Sequence, residues 1–218
     1  MIKAVIFDMD GLLFDTELLY SEGLIYSASK CGIDMSIEET YHVIGKTTED
    51  AREFYAEYYK DNPKIDGRIL VDEQIKYVEN ILKTVGSKKK PFVDEVLQFL
   101  KDNDYKIGLA SSGRISDIYN NLEKHGLEHF FDAIASGEEV ELGKPNPDVF
   151  LLAARKLNIE PKNCLVLEDS LNGVIGANRA GMKSIMIPDL IEPNEIVLSM
   201  VEFVGQNLAD VILFLKKK

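Results

Sequence analysis

Five short apolar runs constrain what this chain can fold into: Lys3 to Asp10 (KAVIFDMD), Lys106 to Ser111 (KIGLAS), Asp132 to Ser136 (DAIAS), Asn163 to Asp169 (NCLVLED) and Lys183 to Pro188 (KSIMIP). Each has the length and composition of a buried strand, and several run out into polar residues at their C-terminal ends. Between them, Val93 to Lys101, Ile115 to His125, Asp148 to Leu157 and Leu171 to Ala180 carry apolar residues at helical spacing, the last closed by Gly181. Strand and helix in alternation predict an α/β protein with a Rossmann-like parallel sheet.

One interval breaks the rhythm. Roughly 90 residues separate the first run from the second, far more than a crossover helix requires, so an inserted domain is expected. Leu18 to Lys30, Thr48 to Lys60 and Arg68 to Lys83 read as amphipathic helices, which makes the insert a small helical bundle. Its expected bounds are 16–86, leaving 1–15 and 87–218 to the α/β core. Phe54, Tyr55, Tyr58 and Tyr59 have the spacing of a helix face and are read as core of the bundle. The run SKKK at Ser87 to Lys90, before Pro91, reads as the return linker, with its lysines solvated.

Charge and cysteine content narrow the partners. A net charge of -12 over 218 residues opposes approach to a nucleic-acid backbone or an anionic lipid surface, leaving a small molecule as the expected partner of a monomeric protein. An anionic ligand then needs local positive charge, which draws attention to Lys46 and Lys144. The two cysteines, Cys31 and Cys164, are far apart, which supports neither a disulfide framework nor a thiolate metal site and fits a cytoplasmic setting. The opening MIKAVIFDMDG carries two acids in its apolar run, unlike a signal peptide or membrane span.

The chemistry concentrates at the ends of the strands. Asp8 and Asp10 leave the first strand just before Gly11, and the period of a strand puts both on one side. Two carboxylates in different environments can divide the work, Asp8 ionised as a nucleophile and Asp10 passing a proton. A turn or helix-capping aspartate pair is the plainer alternative. Ser111, Lys144 and Glu168-Asp169 end or follow later strands, so a hydroxyl, an ammonium and further carboxylates converge on the same edge. A phosphoryl group in transfer is stabilised by such donors, and backbone N–H groups at Met9 to Gly11 and at the helix start after Ser111 are expected to add to them. Lys144 sits in GKPNP, where prolines fix the backbone on both sides of Asn146. Asp8, Glu168 and Asp169 form an oxygen-rich set suited to Mg2+, while Asp169-Ser170 also has the look of a helix cap. His42, His125 and His129 lack partners at metal-site spacing, and no Gly-x-Ser-x-Gly or Walker pattern occurs.

FDMDGLLFDTE, LASSG, GKPNPDVF and LEDSLNGVIGANRAG, in this order along nearly the whole chain, resemble the four motifs of the haloacid dehalogenase-like hydrolase superfamily. The likeness is to its helical-cap phosphatases and β-phosphoglucomutase-like members. The resemblance implies that Asp8 is the nucleophile and Asp10 the general acid and base. It implies that Ser111, Ser112 and Lys144 hold phosphate, and that Asp8, the Asp10 carbonyl and Asp169 hold Mg2+, with Glu168 as a variable ligand or support. An acid at position 10 separates the chain from family dehalogenases and ion-pumping ATPases.

Phosphatase and mutase share these motifs. Mutases of this type carry a histidine in a DTAxxH context, where this chain has Tyr20 in DTELLY, and a cap arginine where this chain has Thr48. Lys46 nearby is a point charge and does not reproduce an arginine fork. The expectation is therefore hydrolysis of a small phosphomonoester, a sugar phosphate or nucleotide, with Glu17, Tyr20 and Lys46 as cap residues meeting the substrate. A phosphosugar mutase is the alternative, and a non-catalytic binding protein that keeps the fold is the remaining one.

Overall fold

The computed structural model describes residues 1–44, 48–62 and 65–217. The chain divides into two compact units, Met1–Asp15 with Lys88–Lys218, and Thr16–Ser87.

The larger unit is built on a five-stranded parallel sheet: β1 (Ala4–Phe7), β2 (Lys106–Ser111), β3 (Ala133–Ser136), β4 (Cys164–Glu168) and β5 (Lys183–Met186), in the order β3-β2-β1-β4-β5. Every residue of β1 is buried, which explains why AVIF reads as a continuous apolar run and not as an alternation. Phe7 pairs in register with Leu109 on one side and Leu167 on the other. Asp8 and Glu168 directly follow Phe7 and Leu167, and Ser111 ends β2 two residues beyond Leu109, so all three stand at one edge of the sheet, where the chain order reverses about β1 and open α/β sheets take their ligands.

The sheet is covered on both faces. One apolar cluster joins Val5, Phe7, Leu109 and Leu167 to Val96, Leu97 and Leu100 of the helix Val93–Asp102 and to Ile118 and Leu122 of the helix Ile115–Lys124. The other joins Ala4, Ile6 and Val166 to Phe150, Ala153 and Leu157 of the helix Asp148–Leu157 and to Ala177 of the helix Leu171–Arg179. The short helices Glu195–Leu198 and Ala209–Leu215 complete the unit. They have too few turns to announce themselves by apolar period.

The smaller unit is helical among its described residues. The helices Thr16–Lys30, Thr48–Tyr58 and Gly67–Thr84 enclose Leu24, Ala28, Ala51, Tyr55, Leu70 and Val71. A further helix, Ile37–Thr40, is held by a reciprocal capping box between Ser36 and Glu39. Tyr55 is buried, and Phe54 and Tyr59 pack beside the core, but Tyr58 is half exposed, so the aromatic face turns inward at three of its four positions.

Two expectations are corrected. β1 stops at Phe7, so Asp8 and Asp10 are not placed together by strand period; the turn does that, with the Leu13 and Phe14 amides both donating to the Met9 carbonyl. The linker lysines are not uniformly solvated either. Lys89 pairs with Asp94 at 2.5 Å, and Lys90 is largely buried between Asp15 and Asp189, because the two passes of the linker form a small ribbon through Asp15 N to Lys88 O and Lys90 N to Leu13 O.

Candidate active site

The site begins with Asp8, whose amide extends the ladder by donating to Leu167 O at 3.0 Å and whose side chain is buried. The chain then turns at Gly11, which has a φ of +79°, a left-handed conformation that only glycine adopts cheaply. Gly11 is required for a second reason. A Cβ there would lie 2.1 Å from Asp169 Oδ2, so the bare backbone is what lets the Asp169 carboxylate rest against the turn.

Lys144 enters from the loop that precedes the helix Asp148–Leu157. Its ammonium donates to Asp8 Oδ1, and to Glu168 Oε1 at 2.6 Å, and stands 5.0 Å from the centre of the Phe150 ring. The loop that aims it is anchored by Asn146 N to Gly143 O at 3.0 Å and by Arg179 Nη1 donating to Pro145 O at 3.0 Å. Lys144-Pro145 is a cis peptide bond.

Glu168 is fully buried at the end of β4, and both of its oxygens are engaged. While Oε1 takes the lysine, Oε2 accepts from Asp169 N and Ser170 N, each at 3.1 Å, and from Ser170 Oγ at 2.9 Å. Ser170 Oγ in turn accepts from Gly173 N at 3.1 Å and so caps the following helix. Gly173 has no room for a side chain, since its Cβ would fall 1.8 Å from Glu168 Cδ. The expected cap at Asp169-Ser170 is therefore made by Ser170.

On the other flank Ser111 is buried, donates to Asp10 Oδ2 at 3.5 Å and accepts from Gly113 N at 3.0 Å. Ser112 is exposed at the bend that follows, beneath Gly137, whose missing Cβ makes room for the Ser112 carbonyl. The expectation of free N–H donors here is corrected in part. Gly11 N donates to Phe14 O, Gly113 N to Ser111 Oγ, and Ile115 N to Glu138 Oε2 at 3.0 Å. The first helical amide after Ser111 is thus satisfied by a glutamate from beyond β3.

Electrostatics follow from burial. Burial pushes the Asp8 carboxyl up to about 8, and Glu168 and Asp10 beside it act in the same direction against Lys144. For Lys144, burial works against the charged form, but Asp8 and Glu168 outweigh it and hold the ammonium above the ordinary lysine range. Oxygens of Asp8, Glu168 and Asp169 lie within 4.8 Å of one another. Three carboxylates beside one ammonium leave an uncompensated negative charge, and hard oxygen donors in a glycine-floored recess fit a hard divalent cation.

The residues expected from the cap are placed within the smaller unit. Glu17, Tyr20 and Thr48 line a cavity of about 240 Å³ together with Ser21, Thr40 and Gln74. Gln74 Nε2 donates to Tyr20 O at 2.8 Å, and Thr40 Oγ1 to Ser21 Oγ at 2.9 Å, which gives that cavity a fixed polar wall. Lys46 lies outside the described residues. Among the described residues no helix is long and apolar enough to cross a membrane.

Sequence reasoning named Ser170 only as part of a helix cap, without its bond to Glu168, and did not find Gly173 or Asp189. Ser170 and Gly173 are visible in hindsight as a serine and a glycine three residues apart at the start of a helix; Asp189 is visible as an acid just past the end of β5.

Comparison with known proteins agrees with this geometry. The model of the haloacid dehalogenase-like hydrolases matches residues 5–187. A Bacillus subtilis protein described as a candidate phosphatase, YhcW, is 39% identical over 88% of this chain and 86% of its own. The phosphorylated carbohydrates phosphatase of Thermotoga maritima is 33% identical over 84% of this chain and 83% of its own. Among solved structures, a candidate β-phosphoglucomutase from Thermotoga maritima superposes with a TM-score of 0.83 at 27% identity, covering 99% of both chains.

Proposed function

The chain belongs to the haloacid dehalogenase-like hydrolases, and within that family we propose that it is a Mg2+-dependent phosphatase of small phosphorylated sugars or polyols that works through an aspartyl-phosphate on Asp8. The observation that carries the reading is the meeting of Asp8, Lys144 and the Asp169 carboxylate at the end of β1, with Asp10 and Ser111 on the adjoining flank.

In the first half-reaction an Asp8 carboxylate oxygen attacks phosphorus in line, the ester P–O bond breaks, and Asp10 gives its proton to the departing alkoxide. In the second, water attacks the phosphoryl carried by Asp8 and passes a proton to Asp10. The aspartyl P–O bond breaks, inorganic phosphate leaves and Asp8 is restored. Lys144 places positive charge against the nucleophile and the peripheral phosphoryl oxygens, and Ser111 and Ser112 donate to those oxygens. Glu168, with its oxygens taken by Lys144 and the Asp169-Ser170 amides, holds the lysine and the loop in place. Asp8, the Asp10 carbonyl and Asp169 would hold the metal. Bound there, Mg2+ neutralises the carboxylates and keeps Asp8 ionised in a site whose burial favours its protonation.

The substrate class is supported by the relative described as a phosphorylated carbohydrates phosphatase. We assign Glu17, Tyr20 and Lys46 to substrate selection. A phosphosugar mutase is a second reading, favoured by the structural likeness to a candidate β-phosphoglucomutase. Tyr20 and Thr48, in place of the histidine and arginine of such mutases, weigh against it.

The test is phosphate release from a panel of sugar phosphates, polyol phosphates, nucleotides and p-nitrophenyl phosphate, with and without Mg2+, with sugar-phosphate isomers followed in the same samples. Mg2+-dependent release greatest on a sugar or polyol phosphate supports the phosphatase. Isomer formation without release makes the protein a mutase.

A further inference from the structure

Behind the metal-binding carboxylates lies a charged group that the reaction does not use. Asp189 follows β5, its side chain is only 8% exposed, and Lys90 donates to its Oδ1. Lys90 also contacts Asp15 Oδ1 at 3.3 Å, so the lysine is held from both sides by carboxylates. Asp189 Oδ2, by contrast, is buried without a hydrogen-bond partner among the described residues. It lies 3.4 Å from the point over Gly11 where a Cβ would sit, and Asp169 Oδ2 lies 2.1 Å from that same point.

A buried carboxylate oxygen with no donor is costly, and native structures rarely tolerate one without a use for it. Asparagine has nearly the same shape without the charge, so the carboxylate is not there to fill space. Lys90 fixes which way Asp189 points: with Oδ1 committed to the ammonium, Oδ2 faces Gly11 and the Asp169 carboxylate. What belongs opposite it is a donor.

We infer that Asp189 is a positioning residue for the metal site, its Oδ2 accepting a hydrogen bond from a water bound to the Mg2+ held by Asp8 and Asp169, with Lys90 locking the carboxylate in that orientation. The inference rests on the function proposed above. Mg2+ keeps several of its waters when bound to protein, and each such water has two protons to place. Carboxylates one layer out orient those waters and commonly account for a 10- to 100-fold part of metal affinity. Neither Asp189 nor Lys90 touches the reacting phosphoryl group in this scheme.

The test is Mg2+ binding to the whole chain by isothermal titration calorimetry, without substrate, for the unaltered protein, Asp189→Asn, Lys90→Met, Asp132→Asn and Asp169→Asn. In Asp189→Asn the ammonium of Lys90 needs an oxygen opposite it, so the amide oxygen takes the Oδ1 place and NH2 replaces Oδ2, setting a donor against the donor of a metal water. The dissociation constant for Mg2+ is expected to rise at least about tenfold, while turnover at saturating Mg2+ stays within about threefold. Lys90→Met, a different lesion of the same device, is expected to move affinity in the same direction. Asp132→Asn removes an equal charge from the other end of the sheet and is expected to leave affinity unchanged. Unchanged Mg2+ affinity in both Asp189→Asn and Lys90→Met, with Asp169→Asn losing binding, overturns this inference and leaves the proposed function standing. Failure of the unaltered protein to bind Mg2+ overturns both.

Discussion

Gly11 and Asp169 meet so closely that the carboxylate of one occupies the space where a side chain of the other would begin, at 2.1 Å from Asp169 Oδ2. The tight turn after β1 is therefore part of the proposed metal site as much as of the fold. Gly11→Ala is expected to destabilise the protein by about 1–2 kcal/mol, from the left-handed backbone alone. It should also displace Asp169 and lower turnover by about 100-fold, the usual effect of shifting a catalytic group by an ångström. Thermal denaturation and Mg2+-dependent turnover of this one variant check both parts.

Lys144 is the counterion of two buried carboxylates, Asp8 and Glu168. Removing one member of a buried ionic cluster leaves the others unpaired, at a cost of about 3–5 kcal/mol. Lys144→Met is expected to lose stability on that scale in denaturant unfolding without metal, and to lose turnover even where it remains folded. Lys144→Arg should not restore activity, because a planar fork does not fit a space shaped for a compact ammonium.

Asp8 is the reverse case. Its carboxyl is pushed from an ordinary 3.8 up to about 8, by burial first and by Glu168 and Asp10 next. A folded-state value above the unfolded one means a contribution to stability that is complete below the unfolded value and lost as pH rises through the folded one. Without metal, this carboxyl is expected to make the protein less stable as pH rises from about 4 to 8. Asp8→Asn should flatten that decline and melt no lower than the unaltered protein at pH 8, while abolishing turnover. Added Mg2+ should restore stability to the unaltered protein and much less to the variant. Melting temperatures across this pH range, with and without Mg2+, check the sign.

At the opposite end of the sheet, Asp132 accepts from Ile107 N at 2.8 Å and pairs with Lys106 and Lys101. Burial alone would raise this carboxyl, but the Ile107 amide and the two lysines outweigh it and hold it below the ordinary range. Its contribution to stability is therefore present above the unfolded value near 4 and lost as pH falls through the lower folded value. Asp132→Asn is expected to cost about 1 kcal/mol at neutral pH and nothing below both values, with turnover unaltered. Denaturant unfolding at neutral and strongly acid pH tests this.

The parts of this molecule that were legible in the sequence are those in which one local rule decides. Continuous apolar runs announce buried strands, so β2 was placed to the residue, and Ser111 and Glu168 fall at strand ends where ligands gather. Motif order singled out Asp8, Lys144 and Asp169, which the structure brings together. What stayed hidden depends on contacts between segments remote in sequence. Lys90 looks like one lysine in a solvated run until Asp189, nearly a hundred positions away, is set against it. The N–H groups after Ser111 look available until Glu138 arrives from beyond β3 to take Ile115 N. Gly173 looks like a weak point in a helix until Glu168 is seen lying across it. Sequence spacing carries no information on such long-range pairings.

The most direct test of the account is the mass of Asp10→Asn after incubation with p-nitrophenyl phosphate and Mg2+. The nitrophenolate leaves without needing a proton, so the first half-reaction still runs, whereas the second lacks the base that takes the proton from water. The account expects one phosphoryl group to accumulate on the peptide containing Asp8, to require Mg2+, and to be absent when Asp8 is also changed to Asn. Phosphate turnover by Asp8→Asn, or a phosphoryl group carried on any other residue, would contradict it.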